Sequence, residues 1–352
     1  MRSKSIVAIE SRMRINVLKY CIAMLAFATM VSRGFAMCRP TPAEVKLDTV
    51  PPSSIVVFTA DTGASDVIGY AADGTVLRWD ITHPEPSVVI DCERSVQALA
   101  LTKDKKLLVA GDAGGNLDFV NLDRLGYPRV RRRVGDGIDR IRFAPDEKTF
   151  LVLQRHTLAL WSRGQKIELW SRNTSQNLVE ASFRSDGRRI AVSTGSGISI
   201  FNSATGEQIR HMEMPEVAPL ISDLAYADDN KFLVAALDSD LVVLDPDTGK
   251  RTETISGGGG QIAAMTLLDD GKQAITVGDD NTLRRWNLTA GTLIDSWRQQ
   301  SPGLVTNDGK YLINTQEQPG EIDVWEIGSR TRMRTLRYKS PLSAAWKKRN
   351  TP

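Results

Sequence analysis

The chain is poor in the residues that most often build catalytic and metal centres. Its 352 residues include only three cysteines and three histidines. It has no Cys-x-x-Cys-His, which excludes this form of covalent haem attachment, and no Gly-x-Ser-x-Gly of a hydrolase nucleophile elbow. We therefore expect no catalytic residues, no metal and no cofactor, and interpret the chain as a non-enzymatic protein.

A large excess of one charge is also missing. Forty-five Lys and Arg residues stand against 42 Asp and Glu residues, a formal net charge of +3. Residues 1–36 hold six basic residues and one acidic residue, so the remainder carries a formal charge of −2. This balance gives no indication of binding to nucleic acid or to an anionic membrane.

The apolar run near the N-terminus is short. Arg14 and Lys19 precede the apolar segment 20–31, and Gly34-Phe35-Ala36 follows it, which is typical of a secretory signal peptide. Twelve apolar residues are too few to cross a bilayer comfortably. We predict a leader over residues 1–36, removed after Ala36, and a periplasmic or secreted protein without a stable membrane span. The alternatives are an uncleaved anchor, an organellar transit peptide and a cytoplasmic protein.

What the chain does contain is a repeat of about forty residues. Seven short apolar strands each end on a large side chain followed by a turn, and the separations are 41, 41, 40, 43, 42 and 39 residues. The seven end positions are Trp79, Val120, Trp161, Phe201, Leu244, Trp286 and Trp325. A period of this size with several strands per unit is typical of a β-propeller blade.

Each repeat contains four strands separated by turn signals. In residues 262–297, period-2 apolar alternation is interrupted at 269–272, 278–281 and 290–291 by Asp, Asn and Gly residues. The same order recurs in the other copies, with a weaker first strand in residues 303–336. The sequence predicts an all-β fold, a seven-bladed β-propeller of four-stranded antiparallel blades, forming a monomeric ring.

The strand ends resemble WD repeats. Val76 to Asp80, Leu283 to Asn287 and Ile322 to Glu326 have the form of the WD-repeat terminus, although only Trp79-Asp80 is the literal Trp-Asp pair and no Gly-His precedes a first strand. Phe143-Ala144-Pro145-Asp146 and Phe183 to Gly187 also resemble the repeats of periplasmic TolB-like propellers. The WD-repeat resemblance covers residues 54–339 and implies a rigid platform that assembles other proteins.

The ends of the chain suggest the domain layout and raise the question of ring closure. We assign residues 37–53 to a linker, 54–339 to the propeller and 340–352 to a C-terminal tail that contributes to closure in one of two arrangements. Residues 342–346 have the phase of a first strand, and residues 44–47 that of a fourth strand. The ring closes either as seven complete blades or by exchange of terminal strands.

Two cysteines remain after leader removal. In an oxidising compartment Cys38 and Cys92 either pair or stay as two thiols, since two residues alone do not define a disulfide framework. The histidines His83, His156 and His211 fall at three different phases of the repeat and are not expected to meet at one metal.

Loops at the channel mouth are the predicted binding surface. In a propeller the turns between second and third strands, and the junctions that lead into first strands, meet at one end of the channel, and such loops carry function. The side chains predicted to form this rim are Arg94, Asp112, Arg155, His156, Arg172, Asp238, Asp240, Asp279, Asp280, Arg298 and Gln316.

Two arginine stripes form a second candidate surface. Because side chains alternate along a strand, each stripe is predicted to share one face of an outer strand. They suit either an acidic partner on the side of the ring or protection of the strand edges. The stripes consist of Arg129, Arg131 and Arg133, and of Arg330, Arg332 and Arg334.

The predicted function is an exported protein-binding scaffold that engages a protein or peptide through the rim of the channel. The alternative is a propeller that binds carbohydrate or a small molecule in the channel mouth, with or without catalysis. Rim Asp and Arg side chains converging in a pocket with shifted pKa values would favour that alternative.

Overall fold

The computed structural model describes residues 55–60, 66–81, 83, 86–91, 96–124, 130–194, 197–214, 221–227, 229–257, 259–268, 271–299, 303–315 and 320–340. All of them lie in one compact unit, Val45–Pro352.

The described residues form 28 strands and one short 3₁₀ helix, Leu122–Arg124. The first sixteen strands are β1 (Ile55–Ala60), β2 (Asp66–Ala71), β3 (Thr75–Asp80), β4 (Ser87–Asp91), β5 (Val96–Leu101), β6 (Leu107–Asp112), β7 (Asn116–Asn121), β8 (Val130–Arg133), β9 (Ile138–Phe143), β10 (Thr149–Gln154), β11 (Thr157–Ser162), β12 (Ile167–Asn173), β13 (Leu178–Phe183), β14 (Arg189–Thr194), β15 (Gly197–Asn202) and β16 (Gln208–Glu213). The remaining strands are β17 (Ile221–Tyr226), β18 (Leu233–Leu237), β19 (Asp240–Leu244), β20 (Arg251–Ile255), β21 (Ile262–Leu268), β22 (Gln273–Gly278), β23 (Thr282–Asn287), β24 (Thr292–Arg298), β25 (Gly303–Val305), β26 (Tyr311–Thr315), β27 (Glu321–Glu326) and β28 (Thr331–Arg337).

These strands pair in chain order into four-stranded antiparallel sheets. Within the described residues there are seven such sheets, each made of four consecutive strands, and we number them blades 1 to 7 along the chain. The all-β propeller of four-stranded antiparallel blades is therefore confirmed. Blade 7 begins with the shortest first strand, β25, as the weaker pattern in that repeat predicted.

Burial between neighbouring blades explains the period-2 pattern. In β6, Leu108 and Ala110 pack against blade 1, whereas Val109 packs against blade 3. Alternate side chains of a strand point to opposite faces of its sheet, and both faces of a blade have a neighbour. The middle strands consequently read as continuous apolar runs, and β18 is buried at all five positions.

The recurrent large residue at the end of each third strand is part of these interfaces. Trp79 is fully buried, and Trp161, Phe201, Leu244 and Trp286 are also buried. Trp286 donates a hydrogen bond from Nε1 to Thr276 Oγ1 at 2.9 Å, which satisfies its one polar group inside the blade. The repeat residue is therefore a packing element.

Blade 7 also contacts blade 1. Trp79, Leu77 and Val67 of blade 1 share an apolar cluster with Ile322 and Leu336 of blade 7. The first strands of consecutive blades contact one another in order, and β25 contacts β1. No described strand is exchanged between the two blades, because each consists of its own four consecutive strands.

A hydroxyl group reinforces the contact between these blades. Tyr338, one residue after β28, donates a hydrogen bond to Asp73 Oδ2 at 2.6 Å and lies 3.2 Å from Thr75 Oγ1. Trp79 Nε1 points to the Arg337 carbonyl oxygen at 3.4 Å. Residues 44–47 and 342–346, predicted to compete at closure, lie outside the described residues, as do the leader and the linker.

We predict that Tyr338→Phe lowers the free energy of unfolding by about 1 kcal/mol, because it removes a hydrogen bond between the first and last blades. Urea unfolding measures the change. Tyr311→Phe is the matched control, since Tyr311 packs in the same cluster and its described hydrogen bonds use only its backbone atoms. Equal destabilisation by both variants would contradict the proposed role of the Tyr338 hydroxyl.

Candidate functional site

Charged side chains on three consecutive first strands form one cluster at the centre of the ring. Arg140 and Arg142 lie on β9, Glu180 on β13 and Asp223 on β17. Arg140, Glu180 and Asp223 each occupy the third position of their strand, where blade 2 has Ala98. Because first strands surround the channel of a propeller, this cluster belongs to the channel wall.

Glu180 holds both arginines. Its Oε2 accepts hydrogen bonds from Arg142 Nη2 at 2.9 Å and from Arg140 Nε at 3.3 Å. The Glu180 side chain is only 7% exposed, whereas those of Arg140 and Arg142 are 46% and 44% exposed. One buried carboxylate thus positions two guanidinium groups that remain half accessible.

Asp223 connects blade 5 to blade 6. Its Oδ2 accepts the backbone N–H of Met265 on β21 at 2.7 Å, and its Oδ1 accepts its neighbour Leu224 N–H at 2.8 Å. Burial, and secondarily the negative charge of Glu180, raise the pKa of Asp223 to about 7. Asp223 therefore titrates near neutral pH, unlike an ordinary aspartate.

None of these four residues was among those predicted from the sequence. The sequence does contain a sign of the cluster, because a charged residue recurs at the third position of three consecutive first strands. The prediction placed function in turns, which is the general rule for scaffolds. Only the ring geometry shows that residues about forty apart in sequence meet at one place.

Three predicted rim carboxylates brace turns. Asp112 accepts the backbone N–H of Asn116 at 2.8 Å, Asp240 accepts that of Gly257 at 3.1 Å, and Asp280 accepts that of Gly260 at 3.3 Å. Arg284 also donates to Asp280 and, as the largest effect, holds the pKa of that carboxyl well below its usual range. These contacts give the three carboxylates a structural role.

Two predicted rim arginines contact other parts of the ring. Arg155, in the β10–β11 turn, donates to Asn177 Oδ1 at 3.1 Å. Arg172 reaches the next blade, where it donates to the carbonyl oxygens of Gly206 at 3.0 Å and Thr205 at 2.7 Å. Arg172 therefore joins two blades at their outer strands, away from the other rim residues.

Four exposed members of the predicted rim have no described side-chain contact and are the best candidates for a partner surface. They lie in the second-to-third-strand turns of blades 3, 5 and 6 and at the end of β24, and they are His156, Asp238, Asp279 and Arg298. Arg94 and Gln316 lie outside the described residues. No described contact joins these four side chains into a pocket.

Two of the six stripe arginines are paired within their own blades. Arg131 forms an ion pair with Asp118 on β7, and Arg332 donates to Asp323 on β27 at 3.2 Å. Asp118 and Asp323 are both buried, so these pairs tie the outer strand to the third strand.

Arg330 differs from the predicted pattern. It precedes β28 in a turn with a φ of 57°, pairs with Asp295 of blade 6 and lies over the Trp297 ring at 5.4 Å. A bulge in β28 opposite Val324 and Trp325 further interrupts the alternation on which the stripe was based. The remaining stripe residues Arg133 and Arg334 lie on β8 and β28, while Arg129 is outside the described residues.

The described residues give no indication of a metal site or of a thiol site. No group of three or more His, Cys, Asp or Glu side chains there could hold a metal ion. His211 Nδ1 is paired with Ser199 Oγ at 2.9 Å. Cys38 and Cys92 both lie outside the described part of the chain. The helices found in that part include none that could cross a bilayer.

The fold defines a β-propeller of four-stranded blades, and known proteins resemble it. A family model described as outer membrane protein assembly factor BamB matches residues 129–264. Serine-threonine kinase receptor-associated protein of Gallus gallus is 23% identical over 272 residues, 77% of each chain. Uncharacterized WD repeat-containing protein sll1491 of Synechocystis sp. is 26% identical over 165 residues, 45% of this chain and 47% of that one. WD repeat-containing protein 36 of Homo sapiens is 32% identical over 141 residues, 39% of this chain and 16% of that one.

These relatives are WD-repeat proteins of low identity, so the resemblance predicted from the strand ends is confirmed. The BamB match agrees with the resemblance of the Phe143 and Phe183 segments to TolB-like repeats.

We predict that Glu180→Gln lowers the free energy of unfolding by about 1–3 kcal/mol, because two arginines lose a buried counter-ion. Thermal or urea unfolding measures the effect. The control is Glu321→Gln, whose ion pair with Arg337 is more exposed than that of Glu180, and which should cost less than about 1 kcal/mol. A Glu180 variant as stable as this control would show that the cluster does not stabilise the ring.

Proposed function

We propose that this protein is an exported, non-enzymatic scaffold that binds a protein or peptide through the mouth of its propeller channel. The WD-repeat relatives support the scaffold class. The observation that carries the proposal is the set of exposed, mixed-charge side chains at the mouth, held on turns that other side chains brace.

The scaffold is a closed ring of seven blades. Three features support this count: seven four-stranded sheets, contacts between successive first strands that include β25 with β1, and an apolar cluster shared by blades 7 and 1. A closed ring removes the exposed end faces that an open array would present. Rigid closure keeps the mouth loops of different blades at set distances from one another, as a partner surface requires.

The mouth surface combines the exposed rim with the channel cluster. His156, Asp238, Asp279 and Arg298 form the exposed rim, and Arg140 and Arg142 lie on the channel wall. Asp139 links the two regions, because Arg140 and Arg155 both act electrostatically on its carboxyl, whose pKa is nevertheless raised by burial. A segment that covers the rim can therefore also contact the channel arginines.

A second candidate function is binding of a small molecule in the channel. The raised pKa of Asp223, which lies near Glu180 and Arg142, favours it, because perturbed carboxyls cluster at ligand sites. The same carboxyl, however, accepts two backbone N–H groups, which gives it a structural role as well. We rank this function second for that reason.

The partner surface is tested by charge reversal at the mouth. We predict that Asp238→Lys/Asp279→Lys/Arg298→Glu lowers capture of the partner protein at least tenfold, since it inverts three exposed charges without removing a described side-chain contact. The matched control, Glu168→Lys/Glu207→Lys/Lys250→Glu, has the same net charge change and lies at the opposite end of the blades.

Quantitative affinity-capture mass spectrometry, with both variants and the unmodified protein as bait, measures the effect. Equal capture by the unmodified protein and the mouth variant would contradict a binding role for the rim. Equal loss in both variants would point to a general charge effect and would also contradict it.

Export is tested separately. If residues 1–36 are a secretory leader, the mature protein should begin at Met37, because the small residue Ala36 ends the leader. N-terminal sequencing of the protein from its native host, with cell fractionation, measures this. A mature chain that retains the apolar segment in the membrane fraction would indicate an uncleaved anchor, and a soluble cytoplasmic chain would contradict export.

A further inference from the structure

The channel arginines Arg140 and Arg142 have N–H donors that no described contact within the protein uses. A guanidinium group has five N–H donors in a planar fork. Arg140 donates hydrogen bonds from Nε to Glu180 and from Nη1 to the Asp139 carbonyl oxygen, the latter at 2.9 Å. Arg142 donates hydrogen bonds from Nη2 to Glu180 and from Nη1 to the Ile141 carbonyl oxygen, the latter at 3.3 Å. Nη2 of Arg140 and Nε of Arg142 have no partner among the described residues.

The two side chains are also presented for binding. Both lie on β9, the first strand of blade 3, two residues apart, and both donate to the same carboxylate oxygen of Glu180. Each is nearly half exposed, while the carboxylate that orients them is buried. A pair of oriented guanidinium groups matches a planar oxyanion better than flexible lysines do.

The charge of the cluster selects the kind of anion. Arg140 and Arg142 face Glu180, so protonation of Asp223 leaves these four groups with one net positive charge. A singly charged carboxylate neutralises that excess. A doubly charged phosphate would place additional negative charge beside the buried Glu180, which is unfavourable at short range in a desolvated site.

We propose that Arg140 and Arg142 form a site for a carboxylate group of the bound peptide, supplied by an acidic side chain or by a chain terminus that enters the channel mouth. Glu180 acts as the positioning residue, since it holds both guanidinium groups and is too buried to meet the peptide itself. This inference deepens the proposed function and rests on it, because it names the chemistry of the partner.

The site should respond to pH through Asp223. The charged groups near Asp223 are Glu180 on β13, which raises its pKa, and Arg142 on β9, which lowers it, while β21 contributes the Met265 N–H. As pH rises through about 7, Asp223 ionises and cancels the positive excess. Binding of a carboxylate should therefore weaken between pH 6 and pH 8, a range in which Glu side chains stay ionised.

The test uses the purified full-length protein and four synthetic tetrapeptides in isothermal titration calorimetry. Tetraglutamate with an amidated C-terminus presents acidic side chains only, tetraglutamine with a free C-terminus presents the terminal carboxylate only, tetraglutamate with a free C-terminus presents both, and amidated tetraglutamine presents neither. We expect at least one carboxylate-bearing peptide to bind tenfold more tightly than amidated tetraglutamine at pH 6, and the pattern identifies the source of the carboxylate.

Substitutions assign the binding to the cluster. Arg140→Gln/Arg142→Gln should reduce binding to that of the neutral peptide, while the control Arg133→Gln/Arg251→Gln, on the outer strands β8 and β20, should leave it unchanged. Circular dichroism checks that each variant is folded. If the double variant is unstable, Arg142→Lys keeps the charge but loses the planar fork, and should weaken binding at least threefold.

The pH response provides an independent readout. The unmodified protein should bind at least threefold more tightly at pH 6 than at pH 8, and Asp223→Asn should remove this difference because its side chain does not ionise. Equal affinity for all four peptides, unchanged binding in the arginine variants, or inorganic phosphate competing as well as glutamate would overturn the carboxylate site. Since these measurements use no cellular partner, their failure is distinct from failure of the capture experiment at the rim.

Discussion

Every part of this structure depends on the burial of both faces of each blade by its neighbours. A four-stranded sheet whose two faces are apolar cannot remain in water alone, and a linear row of such sheets would expose its two ends. Contact between blades 7 and 1 removes those ends. A buried indole such as Trp79 withdraws about 150–250 Å² from water, a gross gain of roughly 4–6 kcal/mol before entropy.

The same constraint decides which charged residues are available for binding. Several charged side chains that looked like surface features in the sequence are used inside the protein: Arg131 pairs with Asp118 within one blade, and Arg172 joins its blade to the Thr205 turn of the next. Such contacts desolvate the groups and orient them toward the protein. Charged side chains without such contacts remain available to a partner. So do the channel arginines, because only some of their N–H donors are used within the protein.

The outer strands show how the ring avoids pairing with other sheets. Bulges interrupt the fourth strands of blades 3, 4, 6 and 7 opposite the recurrent large residue. The bulged residues include Leu169, Ile209, Ile294 and Met333, each about half exposed. A bulge twists an edge strand and breaks its row of free backbone groups, so these apolar side chains stand on edges that are poor templates for added strands.

The sequence by itself determined the repeat and its four-strand units, because alternation along a strand and turn residues are local properties. It also placed Asp238 and Asp279 between second and third strands, where the structure has them. Only the tertiary structure decided that Arg142 pairs with Glu180 near Asp223, that Asp112 and Asp280 brace turns and that Arg172 spans two blades. These relations join residues of different strands or blades, and their geometry follows from how blades tilt and pack around the axis, which no short segment encodes.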